Sequence, residues 1–149
     1  MRKMEIRPYA ETDHDRLVDI WHRAVIRTHD FLTEEDISYY YGFVQGGALN
    51  SVEIWVARDE SGEPSGFVGL DGAKVEMLFV DPERHGQGTG KALLDHVVAL
   101  KGKPVTVDVN EQNGGALGFY RRYGFEQIGR SELDGSGKPF PLLHLKLDS

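Results

Sequence analysis

The chain of 149 residues has the length of one domain, and 40% hydrophobic with 28% charged residues is an ordinary globular composition. Lys and Arg number 17 against 24 Asp and Glu, and the net charge of −7 sets up a field that repels nucleic acid and anionic membrane surfaces. There is no cysteine, which excludes disulfides, thiolate metal sites and a cysteinyl acyl-enzyme and fits a cytoplasmic location.

A short strand is expected at Met4 to Arg7, then a helix capped by Thr12 whose apolar positions Leu17, Trp21, Ala24, Val25 and Thr28 share one face. Met1 to Arg16 lacks the apolar core of a signal peptide, and no stretch approaches the roughly 18 apolar residues of a membrane helix. A second helix starts at the N-cap Thr33, carries Glu34, Glu35 and Asp36 in its first turn, and ends before Gly46-Gly47. Strands Glu53 to Arg58 and Gly66 to Leu70 flank the turn Asp59 to Pro64, and Asp71-Gly72 leads into a third strand, Val75 to Val80. A helix with Ala92, Leu93, Val97, Val98 and Leu100 inward is stopped by Gly102 and Pro104, and the next strand is Val105 to Val109. A helix from about Gly115 to Tyr123 and strands near Phe125 to Ser131 and Leu142 to Leu147 close the chain. No repeat or long linker divides it, so residues 1–149 form one domain.

Between the third strand and the third helix lies Arg84-His-Gly-Gln-Gly-Thr-Gly-Lys91. Glycines 86, 88 and 90 let backbone approach a pyrophosphate, and the following helix aims free N–H groups and its dipole at the same place. A Walker A loop would need Gly at His85 and Ser or Thr at Ala92. A dinucleotide fingerprint would need Gly at Lys91 or at Leu93. Neither reading survives.

What remains, His85-x-x-Gly88-x-Gly90 after a strand, resembles motif A of the GCN5-related N-acetyltransferases. Downstream, Asn113-x-x-Ala116-x-x-Phe119-Tyr120-x-x-x-Gly124-Phe125 matches that family's second motif at every defined position. One departure is His85, where the family carries Gln or Arg, with an arginine displaced to position 84. The segment from Trp21 through Thr28 to Leu32 and the ending Gly137 to Leu143 are similar to the small bacterial YjaB-like branch. The resemblance spans the full length. It implies an α/β (α+β) acyl-CoA N-acyltransferase fold, a mixed sheet of about seven strands with about four helices in the order β-α-α-β-β-β-α-β-α-β-β.

The resemblance also implies acetyl-CoA as the acetyl donor, and direct transfer to a primary amine in a ternary complex. The cofactor would lie on Leu78, Phe79 and Val80, whose backbone pairs with the pantetheine arm, on Arg84, His85, Gly86, Gln87, Gly88, Thr89, Gly90 and Lys91, and on Asn110, Asn113, Ala116, Phe119 and Tyr120. Arg121 and Arg122 add positive charge in the same regions. Tyr120 resembles the tyrosine that returns a proton to the coenzyme sulfur; read alone, it is also a packed aromatic.

Glu76 interrupts an apolar strand near the place where related enzymes carry a base, and is also what a strand's solvated start would carry. Alternation puts Thr106, Asp108 and Asn110 on one side of their strand, which makes Asp108 a second acid-base or substrate-binding candidate. His29 is a weaker base candidate. Trp21, His29 and Phe31 are the candidate acceptor-binding residues, with Tyr39, Tyr40 and Tyr41, which cannot all face one side of a helix; Trp21 also lies on the apolar stripe. Asp15, Asp19 and His22 share a helix face without metal-site spacing, so no metal is expected.

The acidic balance favours a small cationic amine as acceptor over a protein amine, with no nucleic-acid or membrane partner. A monomer, or a homodimer through a C-terminal edge strand, is expected. A catalytically silent acyl-CoA-binding module and a nucleotide-binding regulator are the competing classes.

Overall fold

The structure, a computed structural model, describes residues 4–28, 32–45, 52–84, 86–134 and 137–148. Strand β1 (Glu5–Pro8) leads through a 3-10 turn (Glu11–Asp13) into helix α1 (His14–Thr28), followed by α2 (Glu34–Gln45) and strands β2 (Glu53–Arg58), β3 (Pro64–Asp71) and β4 (Lys74–Val80). Then come α3 (Thr89–Lys101), β5 (Val105–Asn110), α4 (Gly114–Tyr123), β6 (Glu126–Ser131) and β7 (Leu142–Leu147). The order is the expected one. The 7 strands make one sheet, β1-β2-β3-β4-β5-β7-β6, antiparallel throughout except between β4 and β5.

Thr12 does not cap α1, because it sits inside the 3-10 turn. The Asp13 carboxylate accepts from the Ala10 N–H at 3.1 Å and from Arg58 at 2.6 Å, closing the turn and tying it to β2. Thr33 does cap α2, its Oγ1 accepting from Asp36 N–H at 3.1 Å while Asp36 accepts from Thr33 N–H at 3.2 Å.

Two cores sandwich the sheet. Leu17, Ile20, Trp21 and Val25 of α1 pack with Ile54, Val56 and Phe67 of β2 and β3, with Met77 and Phe79 of β4 alongside. On the other face Leu93, Leu94 and Val97 of α3 and Tyr120 of α4 cover Val68, Leu70, Val75, Val105, Val107, Val109, Leu143, Leu145 and Leu147. Each fully buried aliphatic chain contributes roughly 1.5–3 kcal/mol of transfer free energy. Among the described residues, β5 and β7 give side chains to the second core and none to the first. On the α1/α2 side, therefore, the sheet from β5 to β6 lies outside the apolar core.

Where β4 meets β5 the sheet opens. The two strands pair at Lys74 with Thr106 and at Val75 with Val107. Immediately beyond, Gly69 pairs with Met77 while Leu70 pairs with Val75, so Glu76 is an extra residue in β4, a bulge. A bulge bends its strand and places the inserted side chain on the face of its neighbour. Glu76 thus joins Lys74, Met77 and Phe79 on the α1/α2 side.

Candidate active site

The gap between β4 and β5 is flanked by both glycine motifs. Asp81, at the end of β4, is buried at 1% exposure and accepts from Arg23 at 2.8 and 3.0 Å, from Arg16 at 3.2 Å and from Glu83 N–H at 3.0 Å. Burial alone would raise its carboxyl, but the hydrogen bonds from Arg23 and Glu83 outweigh that and hold it below the ordinary range. The turn into the loop is therefore bolted to α1.

On the other side, Asp59 in the β2–β3 turn accepts from Ser61 and Glu63 and pairs with Arg84 at 2.6 Å, contacts that keep its carboxyl well below the usual range. A cleft of about 440 Å³ lined by Asp59, Glu60, Ser61, Glu83, Arg84 and Gln87 runs beside the loop. Three carboxylates make it hostile to phosphate. Lys91 likewise has a partner, Asp95 at 3.0 Å. Arg84 and Lys91 each have a carboxylate partner, and the loop's backbone groups are a further source of anion binding.

Those groups are available. Gly88 caps α3 with φ 80°, a left-handed conformation that suits glycine, and a Cβ there would meet nothing within 4 Å. Gly86 also has positive φ and open space. Thr89, the first residue of α3, is 2% exposed and its Oγ1 has no hydrogen-bond partner among the described residues. An orphaned hydroxyl at the N-terminus of a helix from Thr89 to Lys101 fits a phosphate-bearing ligand. Gly66 makes room for that residue, since a Cβ there would stand 3.0 Å from Thr89 Cγ2 and 3.0 Å from Phe79 O.

Gly90 has a use beyond the one its spacing suggested. A Cβ there would meet Phe119 Cζ at 3.1 Å, so Gly90 lets α4 close onto α3 and joins the two motifs physically. Asn113 caps α4, its Oδ1 accepting from Ala116 N–H at 3.1 Å. Asn110 O accepts from Asn113 N–H at 2.9 Å, setting the entry to that helix. Tyr120 is 6% exposed, its ring edge-on to Phe119 and Phe125 with centroids 5.2 and 5.3 Å away. Burial pushes its phenol well above the ordinary value, so it stays a proton donor at neutral pH.

Of the candidate carboxylates, Glu76 is exposed at the bulge with Lys74 Nζ 3.5 Å away. Asp108 is held by Lys74 at 3.0 Å and His144 at 2.6 Å. Its burial raises the carboxyl; the His144 and Lys74 hydrogen bonds outweigh this and leave it below the usual range. Lys74, His144 and Ser131 were not foreseen. The signal was available in β7, where Leu143, Leu145 and Leu147 point to the core and leave His144 on the same side as Asp108.

Trp21, expected at the acceptor site, is instead buried in the α1/α2 core at 6% exposure, its ring 6.2 Å from Tyr41. Asp19 on its helix pairs with Arg16 and Arg23. His29, Phe31 and His85 lie outside the described residues. Tyr39 is exposed, while Tyr40 and Tyr41 are half-buried against the core. The Tyr40 hydroxyl donates to Asp134, and Lys138 Nζ pairs with Asp36 at 3.1 Å, 4.4 Å from the Tyr39 ring centroid. These contacts strap the β6–β7 connection to α2. Among the described residues no group of three or more His, Asp or Glu could hold a metal ion, and no helix is long and apolar enough to cross a membrane.

An acetyltransferase (GNAT) domain model matches residues 50–127, spanning β2 through the two glycine motifs. The chain belongs to the GNAT acetyltransferase family. It is 41% identical over 149 residues to the peptidyl-lysine N-acetyltransferase YjaB of Salmonella typhimurium, covering 95% of this chain and 97% of that one. The solution structure of apo-form YjaB from Escherichia coli superposes with a TM-score of 0.89 at 40% identity, covering 97% of both chains. A PaiA N-acetyltransferase from Thermoplasma acidophilum, solved with coenzyme A, shares the fold at a TM-score of 0.77 and 21% identity over 99% of both chains. This GNAT chain is an acetyl-CoA-dependent N-acetyltransferase.

Proposed function

We propose that the enzyme acetylates a primary amine directly, in a ternary complex, and that the acceptor is a lysine side chain of a peptide or protein. The observation that carries direct transfer is the β4–β5 gap: it opens, through the Glu76 bulge, toward a polar face outside the apolar core, in a chain without cysteine to carry the acetyl group. The 41% identical relative acts on peptidyl lysine, which favours a peptide over the small cationic amine suggested by net charge. Acetyl-CoA, when bound, supplies the acetyl group as a thioester. A reaction on acetyl-CoA puts the protein in the cytoplasm.

Backbone N–H groups near Leu78 and Val80, beyond the last β4–β5 pair, hold the pantetheine arm and polarise the acetyl carbonyl. The loop from Gly86 to Lys91 and the Thr89 hydroxyl hold the pyrophosphate. Tyr120 holds the proton that the departing thiolate needs, and its raised phenol pKa keeps that proton in place until then. Glu76 attracts the cationic acceptor at the mouth of the gap, while Asp108 is already engaged and acts through its partners.

Calorimetric titration with acetyl-CoA, followed by thiol release on adding a blocked lysine peptide, tests this reading. Binding with turnover is expected. Binding without turnover of any amine would instead establish an acyl-CoA-binding module, and absence of binding would end both readings.

A further inference from the structure

The acetyl-transfer reading leaves open which group deprotonates the acceptor, and the uncovered face answers it. Side chains of four strands form one hydrogen-bonded row there. Lys74 Nζ of β4 donates to Asp108 Oδ2 of β5 at 3.0 Å, Asp108 Oδ1 lies 2.6 Å from His144 Nδ1 of β7, and His144 Nε2 lies 2.7 Å from Ser131 Oγ of β6. Register explains the row: Asp108 and His144 are direct cross-strand partners, and His144 pairs with Gly129, two residues before Ser131. Gly129 leaves the imidazole its place, since a Cβ there would stand 3.4 Å from His144 Cδ2.

The row fixes the tautomer. A carboxylate only accepts, so the hydrogen on that side of His144 is on Nδ1. In the neutral ring Nε2 then carries the lone pair, and the Ser131 hydroxyl donates to it. An imidazole with its N–H committed to a carboxylate and its basic nitrogen turned to a hydroxyl on an accessible face is arranged as a general base. The charged and polar groups facing it are Lys74 and Glu76 from β4, Thr106, Asp108 and Asn110 from β5, Ser131 from β6, and Lys146 two residues along β7. Asp108 is the one that touches the ring as an anion.

The same three groups could belong to a serine nucleophile, and distance decides against it. Adjacent strands lie about 4.8 Å apart, so His144 is one strand from the β4–β5 gap and Ser131 two, roughly 10 Å away. A proton crosses such a span through water; a carbon–oxygen bond does not form across it. We infer that His144 Nε2 takes up the proton of the acceptor ammonium along a chain of waters that ends at the Ser131 hydroxyl, which passes its own proton to Nε2, with Asp108 as the positioning residue. The amine loses one proton to Nε2, and His144 returns it to solvent by way of the Ser131 hydroxyl before the next turnover. The nitrogen gives up its second proton to solvent as the amide forms, and the thiolate receives a proton from Tyr120, which is replenished from solvent.

The test follows thiol release from acetyl-CoA with a blocked lysine peptide across pH, for the full chain and for His144→Gln, Asp108→Asn, Ser131→Ala and Glu76→Gln. In the wild type kcat/KM is expected to rise with pH along a limb set by the group that accepts the proton of the acceptor. His144→Gln is expected to lower kcat by about 10²-fold or more, to abolish that limb, and to recover in part with added imidazole, at unchanged acetyl-CoA affinity. Asp108→Asn should move the limb, and Ser131→Ala, which lets water reach Nε2 in place of the hydroxyl, should keep it at a lower kcat. A His144→Gln enzyme with the wild-type profile, or loss of the limb in Glu76→Gln, would overturn the inference. If His144→Gln does not fold, nitrogen-15 NMR of the wild type decides: a proton on Nδ1 supports the assignment and a proton on Nε2 overturns it. A wild type that neither binds acetyl-CoA nor releases thiol would instead sink the acetyl-transfer reading itself.

Discussion

The two halves of the sheet are built to different rules. In β3 every residue from Pro64 to Leu70 is buried, because α1 covers one face and α3 the other. In β5 and β7 buried and half-buried positions alternate, because apolar packing covers only the α3/α4 side. Polar side chains are costly in the first half and free in the second. The chemistry accordingly collects at the seam, where β4 leaves the covered half through its bulge and β5 begins the uncovered one. Substitutions in the covered half should act on stability, and those at the seam on turnover.

The largest expected effect lies in the covered half. Asp81→Ala removes the buried carboxylate that Arg16 and Arg23 share, leaving them only the exposed Asp19, and takes the acceptor from the Glu83 N–H. Both arginines can still reach water, so the cost is about 3 kcal/mol, below that of breaking a fully buried pair. Denaturant unfolding measures it. The pH dependence has a definite sign. Asp81 titrates lower in the folded chain than the ordinary ~3.9, so the unfolded chain binds the proton first. Its stabilisation is complete above the ordinary carboxylate range and disappears as pH falls through the folded value. Asp81→Asn should flatten that acid limb; an unchanged limb would put acid sensitivity elsewhere.

At the seam the effects move to kinetics. Tyr120→Phe keeps the packing against Phe119 and Phe125, so stability should hold within about 1 kcal/mol. Losing the phenolic proton should lower kcat about 10²-fold, equivalent to about 2.7 kcal/mol, with acetyl-CoA affinity retained. Steady-state assays beside calorimetry separate the two. Glu76→Gln should be milder, raising the acceptor KM about tenfold, or about 1.4 kcal/mol, with little change in kcat. A large kcat defect there would make Glu76 part of the reacting set and blur the division between attraction and proton transfer.

The division was partly legible in the residues. Element order, the N-cap at Thr33 and the two glycine motifs could be read because each depends on neighbours within a few positions. Trp21 shows where reading stops. Its spacing on the α1 stripe and its place near an aromatic segment supported two roles, and only the packing of α1 onto β2 and β3 chooses the core. The Asp108–His144 contact joins residues 36 apart in the chain, and pairing of β5 with β7 exists only once the sheet is ordered. Gly90 likewise has a use that its spacing did not show, since a side chain there would meet Phe119 of α4.

The smallest expected effect probes the seam from the cofactor side, at Thr89. Its hydroxyl is buried without a partner among the described residues, while its methyl packs where Gly66 leaves space. A desolvated, unpaired hydroxyl costs the free protein about 1 kcal/mol or more, so Thr89→Val should leave stability unchanged or raise it slightly. If the hydroxyl pairs with a phosphate oxygen in the complex, the same change should weaken acetyl-CoA binding about three- to tenfold. The two movements oppose each other, which no general packing defect would produce. Thermal unfolding with and without acetyl-CoA reads both, and weaker binding together with lower stability would mean that Thr89 serves the covered half of the sheet and leaves the loop's backbone to hold the anion alone.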